Sequence, residues 1–330
     1  MQRGSVRLEW PAGGSGRRVL GVVTKGVRGP LSSILAPFEQ LYGGAIKLRN
    51  AAYDRGMFPV ERVPVPVISV GNIVAGGAGK TPVVRWLVEQ LLARERRPAI
   101  LHGGYGMDEP QLHQQWHPGV TVIAERDRVA AARRAIDGGA DVIVMDDGFQ
   151  HRRLARDLDI VLVTADSDNW NLLPRGPGRE SIHALERAEF VLITRKAATT
   201  DQALVLETLV HQHAPLARTG RAHLRLHAEL PARPVLVVAS IARPDLLVNQ
   251  LQSLGAEIAA TLAYPDHYEY TGRDAAYIVQ RAGEHLIVTT AKDAVKLQPL
   301  MREQPLHVVE QEIVFESGEA ELLTAMDNVL

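Results

Sequence analysis

Residues 70–84 read VGNIVAGGAGKTPVV, a glycine-rich turn that ends in lysine and threonine. Gly76, Gly77, Ala78 and Gly79 let successive backbone N–H groups turn inward around phosphate oxygens. The helix that follows adds the positive end of its dipole. Lys80 then reaches the β- and γ-phosphates, and the Thr81 hydroxyl is placed to hold Mg2+. Pro82 suits a first helical turn, where no backbone donor is required. Val74 stands where a generic phosphate loop has its first glycine, and the argument from the amides survives that change. The turn predicts a bound nucleoside triphosphate.

A metal-bound triphosphate needs a carboxylate from a second strand. DVIVMDDGFQHRRL supplies one: Val142–Met145 predict the strand, with Asp146 and Asp147 at its C-terminal edge, where open α/β sheets bind ligands. One Asp is expected to hold the ion directly or through water, and the second to hold it too or to orient a neighbour. Gln150 and His151 follow on the same loop. GGYGMDEP comes after the run Pro98–Leu101 and puts Asp108 and Glu109 at the same edge, while YPDHY presents Asp266 and His267 much later in the chain.

The elements that must position these groups are legible as alternation. Apolar runs at Val65–Val70, Pro98–Leu101, Val142–Met145, Ile160–Val163 and Phe190–Thr194 predict strands, with Thr81–Arg94 and Arg126–Ile136 as helices between them. Such alternation implies a mainly parallel sheet covered on both faces. Residues 215–233 have a strand-like, polar, proline-punctuated texture and read as a linker. A second, smaller α/β unit begins at VLVVAS and includes TLAYPDHYEY and HLIVTT. The fold expected is α/β: a P-loop NTPase-like sheet flanked by helices, with a smaller α/β domain.

The chain has 330 residues, a net charge of −1 and no cysteine. The charge argues against a protein that coats nucleic acid, and the missing cysteines exclude disulfides and thiolate chemistry. No stretch approaches the roughly 20 apolar residues of a membrane span, and no signal-peptide pattern is present. Residues 1–60 nevertheless carry nine Lys/Arg against three acids. Within them Leu31, Ile34, Leu35, Phe38, Leu41, Tyr42 and Ala45 recur at helical spacing, with Pro37 and Gly43-Gly44 expected to bend or interrupt the helix. Either that helix packs on the domain, or it lies in a membrane interface with its basic residues near anionic headgroups.

Taken jointly, VPVISVGNIVAGGAGKTPVV, GGYG with DEP, DDGFQHRRLARDLDIVLV, LLPRGPGRE, YPDHYEY and TTAKDAVKL resemble the tetraacyldisaccharide 4'-kinase family of lipid A biosynthesis, in the family's order across 31–300. The resemblance implies transfer of the ATP γ-phosphoryl group, with Mg2+, to the 4'-hydroxyl of a lipid A disaccharide 1-phosphate precursor. It also implies work at the cytoplasmic face of the bacterial inner membrane. It assigns Asp108 as catalytic base with His267 as its partner, Lys80 as a further catalytic group, and Gly76–Thr81 as the ATP loop. Asp146 and Asp147 become the magnesium-handling pair, with Gln150 nearby. Asn72, Arg128 and Arg179 are candidate substrate contacts. A monomer is expected, with no nucleic-acid partner.

The expected organisation is an irregular extension over 1–29, an amphipathic membrane-associating segment over 30–58, a P-loop kinase core over 59–222, and a smaller domain over 223–330. Closure of the two domains would complete the site. Departures from the family are equally plain: Met107 alone separates Gly106 from Asp108, where the family has a longer segment. Arg175, Gly178 and Ser181 stand where it tends to have Ala, Leu and Pro. Two rival readings remain at this point. One is a membrane-associated switch ATPase or GTPase, although Ala75 replaces the lysine that opens such loops. The other is a kinase of a soluble acceptor, which leaves the basic, amphipathic N-terminal region unexplained.

Overall fold

A computed structural model describes residues 8–9, 30–104, 108–167, 169–227, 230, 233–301 and 304–330. The expectations for the rest of 1–29 and for Gly106 and Met107 lie outside the described residues. Those described form two compact units. The larger runs to Leu224 and resumes at Ile313–Leu330; the smaller comprises Arg225–Glu312 with the two-residue strand β1, Leu8–Glu9.

The larger unit is built on β2 (Val67–Asn72), β3 (Pro98–His102), β4 (Thr121–Ala124), β5 (Val142–Asp146), β6 (Leu158–Thr164), β7 (Phe190–Arg195) and β8 (Arg218–His227). Their order is β8-β7-β6-β2-β5-β3-β4, with all six pairings parallel. Parallel strands need crossovers, which here are α2 (Lys80–Leu92), α3 (Asp108–Trp116), α4 (Arg128–Asp137) and α5 (Thr200–His213). Alternate residues along each strand face opposite helical layers. Ile68, Val70, Ile160 and Leu162 pack with Val84, Leu87 and Leu91 of α2. Val67, Ile143 and Met145 pack with Val129 and Ala132 of α4, while Val161 and Val163 pack with Leu206 and Val210 of α5. Both faces are therefore apolar, which is why these strands read as unbroken hydrophobic runs.

The smaller unit has its own parallel sheet, β1-β10-β9-β11-β12, made with β9 (Val235–Ala239), β10 (Ile258–Ala263), β11 (Leu286–Thr290) and β12 (Leu306–Ser317). Helices α6 (Pro244–Ser253), α7 (Gly272–Ala282) and α8 (Ala291–Leu297) cover it.

Three expectations change. Residues 313–330 do not stay with the smaller unit. The end of β12 and helix α9 (Glu319–Asp327) return to the larger one, where Leu322 and Met326 join its core and Phe315 lies 4.8 Å from the Trp86 ring. Helix α1 (Pro30–Asp54) runs without interruption through Pro37 and Gly43-Gly44. Gly43 is there because Leu172 packs against it: an added Cβ would lie 2.9 Å from Leu172 Cδ1. Residues 218–227 of the supposed linker are strand β8.

Helix α1 also inverts the usual polarity of a surface helix. A row of its polar side chains faces the protein: Glu39 accepts from Leu172 N and Arg175, Tyr42 donates to Arg179 O, and Asn50 donates to Glu180. Arg49 and Arg152 extend the same seam, the first to Gln150 O and the second to Asp54. Ile34, Phe38, Leu41 and Leu48, on the opposite stripe, are 62%, 56%, 70% and 71% exposed.

Candidate active site

Strands β2 and β5 are neighbours with Val70 opposite Asp146, so the glycine loop leaving β2 and the carboxylates ending β5 emerge side by side. Gly71 makes this approach possible: an added Cβ would lie 2.5 Å from Phe149 Cβ. The loop is braced from behind. Ala75 N donates to Pro177 O, Arg179 N and Glu180 N both donate to Ile73 O, and Thr194 Oγ1 donates to Ala78 O. Gly76, Gly77 and Gly79 all take positive φ, and Gly79 is the N-cap of α2. The curl that points amides inward is thus built by the backbone alone.

Gly79 has a second constraint, because a Cβ there would sit 2.0 Å from Leu224 Cδ1. Gly79→Ala is expected to lower stability by about 2 kcal/mol, from strain at φ 85° plus the clash, and to weaken nucleotide binding. Thermal melts with and without nucleotide check this. The double variant with Leu224→Ala should recover only the part owed to the clash.

Lys80 Nζ lies 3.4 Å from Asp147 Oδ1, and Arg179 Nη1 donates to both Asp147 oxygens at 2.8 Å. Burial alone would raise the Asp147 pKa, but the two cations outweigh it and hold the carboxyl far below its usual range. Asp147 sits at φ 60°, a left-handed conformation that costs an ordinary residue about 1–2 kcal/mol and that Asp tolerates better. The clamp is what that turn achieves. A cation pair held by one anion beside a phosphate loop can exchange it for phosphoryl oxygens.

On the other side of Thr81 lies a cluster that includes two residues not assigned from sequence. Thr81 Oγ1 donates to Glu109 Oε1 at 3.3 Å, and Glu109 Oε2 lies 2.8 Å from His102 Nε2. His113 Nε2 is 3.3 Å from Asp146 Oδ2, with both groups buried. Burial opposes a charge on His102, yet the bond to Glu109 and the nearby Asp146 prevail and raise its pKa. His102, Glu109 and Asp146 each offer a ligand atom within 4.8 Å of the others. With the Thr81 hydroxyl, the carboxylates give the hard oxygen donors that Mg2+ favours, and the residues fit that ion.

Other assigned residues are placed differently. The Gln150 amide nitrogen donates to Asn72 O and Glu180 Oε1, which braces it beneath the loop. Asp147 is outside the cation cluster and serves the Lys80–Arg179 clamp. Arg128 is buried, and its guanidinium donates to the carbonyls of His102, at 2.5 Å, and Glu125, which ties β3 to the end of β4. Asn72 is also buried and donates to Val74 O. Asp108 is buried at the first turn of α3. Glu180 gathers Asn50, Gln150 and Arg187. Its burial would raise its pKa, but those donors lower it.

In the smaller unit, His267 takes φ 57°, its N–H donates to Ser240 O, and its Nε2 lies 3.3 Å from Lys292 Nζ. Beneath it the buried Asp293 accepts from Ser240 N, the Ser240 hydroxyl, Tyr270 and Thr290. The TTAKDAVKL stretch therefore builds the floor on which His267 stands.

An open parallel sheet, a glycine loop that opens a helix and a carboxylate on the adjoining strand define the P-loop class of nucleotide-binding proteins. Within that class the chain belongs to the tetraacyldisaccharide-1-P 4'-kinase (LpxK) family, whose sequence model matches residues 31–330. It is 38% identical over 314 residues to the tetraacyldisaccharide 4'-kinase of Anaeromyxobacter dehalogenans (strain 2CP-C), covering 82% of each chain. It is 38% identical to that of Syntrophus aciditrophicus (strain SB), covering 83% of this chain and 86% of the other. The crystal structure of the "apo" form of LpxK from Aquifex aeolicus in complex with ATP superposes with a TM-score of 0.71 at 27% identity, over 91% of this chain and 99% of that one.

Proposed function

We propose that the chain transfers the γ-phosphoryl group of ATP to the 4'-hydroxyl of a tetraacyl glucosamine disaccharide 1-phosphate, a step of lipid A biosynthesis. The observation that carries this reading is the pairing of the Gly76–Thr81 loop with the Lys80–Asp147–Arg179 clamp, in a member of this kinase family. Loop amides and Lys80 bind the β- and γ-phosphates, and Arg179 is free to follow phosphate once Asp147 releases it. Thr81, Glu109 and Asp146 would hold Mg2+, which neutralises charge on the transferring group. Asp108 accepts the proton of the attacking hydroxyl. His267 is its partner by the family resemblance alone.

The test is labelled ATP with a lipid A disaccharide acceptor in detergent micelles. Label should appear on the lipid. Hydrolysis at the same rate with and without acceptor would instead indicate a switch ATPase.

No described helix is long and apolar enough to cross a membrane. The outward stripe of α1 supports a different attachment, in which α1 lies in the interface of the cytoplasmic leaflet with the exposed Lys47 and Arg55 near headgroups. The chain works there as a monomer. Phe38→Glu combined with Leu41→Glu should weaken binding to anionic vesicles about ten-fold or more in a sedimentation assay, while the melting temperature stays unchanged. Undiminished sedimentation would remove α1 from this role.

A further inference from the structure

We propose that His102 places an imidazole nitrogen in the coordination shell of the active-site cation, shifting the preference of the site from Mg2+ toward Mn2+ and Co2+. This rests on the kinase reading only for the location of the ion, since the geometry is that of the cluster itself.

Strand pairing creates the juxtaposition. Leu101 of β3 is opposite Met145 of β5, and the next step along that register brings His102 beside Asp146. Arg128 pins the His102 carbonyl, which fixes the base of the side chain. Glu109 arrives from the first turn of α3. In an octahedral ion with bonds near 2.1 Å, adjacent ligand atoms lie about 3.0 Å apart and opposite ones about 4.2 Å. The 2.8 Å between His102 Nε2 and Glu109 Oε2 matches an adjacent pair. The widest separation in the group, within 4.8 Å, closes by a small rotation or through a water.

Burial supplies the second argument. Asp146 is 1% exposed, and its Oδ1 has no hydrogen-bond partner among the described residues. Its other oxygen meets His113 at 3.3 Å. A carboxylate removed from water with one oxygen unsatisfied is costly unless a cation completes it. A shell of two carboxylates, a hydroxyl and an imidazole is harder than a zinc-finger set and softer than an all-oxygen set. Borderline ions bind it more tightly than Mg2+, which gains little from nitrogen.

The alternative is that His102 only donates a hydrogen bond to Glu109 and orients it. Pulsed EPR on the full chain loaded with Mn2+, with and without a non-hydrolysable ATP analogue, separates the two. Nitrogen coupling from a directly bound imidazole is expected in at least one state, changing on 15N-histidine labelling and vanishing in His102→Gln. Competition titration should show the ratio of Mn2+ to Mg2+ affinity falling about ten-fold in that variant. Absence of nitrogen coupling in both states of the unaltered chain, or an unchanged affinity ratio in a folded His102→Gln, overturns the proposal. Neither readout depends on acceptor phosphorylation, which is scored separately with Mg2+.

Discussion

Lys80→Met is expected to lower kcat about 10²–10³-fold while the chain stays folded. Lys80 is the cation nearest the loop that can follow the β- and γ-phosphates as charge develops on the transferred group. Fixed charges of this kind, aimed at the transition state, carry rate factors of that size. The fold should persist because Asp147 keeps its two bonds to Arg179. The same substitution should cut the rise in melting temperature that ATP produces, since that rise reports binding to the folded state. A variant with unaltered kcat would mean that the loop cradles something other than the reacting phosphates.

Asp108→Asn tests the chemistry rather than the binding. Removing a general base is expected to cost roughly 10²–10⁴ in turnover. ATP affinity should stay within about three-fold, because the loop amides, Lys80 and Arg179 are untouched. Asn keeps the size of Asp at this buried first turn of α3, so packing is preserved. Isotope transfer and equilibrium nucleotide binding, measured on one preparation, separate the two effects. Turnover close to that of the unaltered chain would remove Asp108 from the role of base.

The larger sheet was legible because its strands are buried on both faces and so appear as apolar runs. β4 was not: Thr121–Ala124 is four residues at the sheet edge, half-exposed, and too short and mixed to stand out. The glycine loop and Asp146 were legible because their chemistry is local, set by spacing along one segment. The Lys80–Asp147–Arg179 clamp was harder to see, since it joins positions 32 apart in sequence at its closest pair and depends on the left-handed turn at Asp147. His102 and His113 gave no signal. Their roles come from the register of β3 on β5 and from the angle of α3; His102, closing the apolar run PAILH, reads as core, and His113 lies in a polar helix with no motif around it.

Helix α1 shows the same limit in another form. Its periodicity predicted a helix, but period alone does not say which stripe faces the protein. The answer came from partners far along the chain. Arg175, one of the departures from the family pattern, donates to Ser32 and Glu39 and helps to seat the polar side inward. Arg128 shows a related limit: an arginine invites assignment to phosphate, and its hydrogen bonds to the carbonyls of His102 and Glu125 could not be read from spacing.

The return of residues 313–330 to the larger unit bears on how the chain folds during synthesis. Leu322 and Met326 emerge from the ribosome only after the whole of the smaller unit has done so. Until then the apolar face of α2 that they cover stays open to solvent, although the sheet beneath it is already complete in sequence. A chain truncated after Glu312 should therefore bind hydrophobic-surface chaperones through α2, whereas the full chain, with α9 docked, should not.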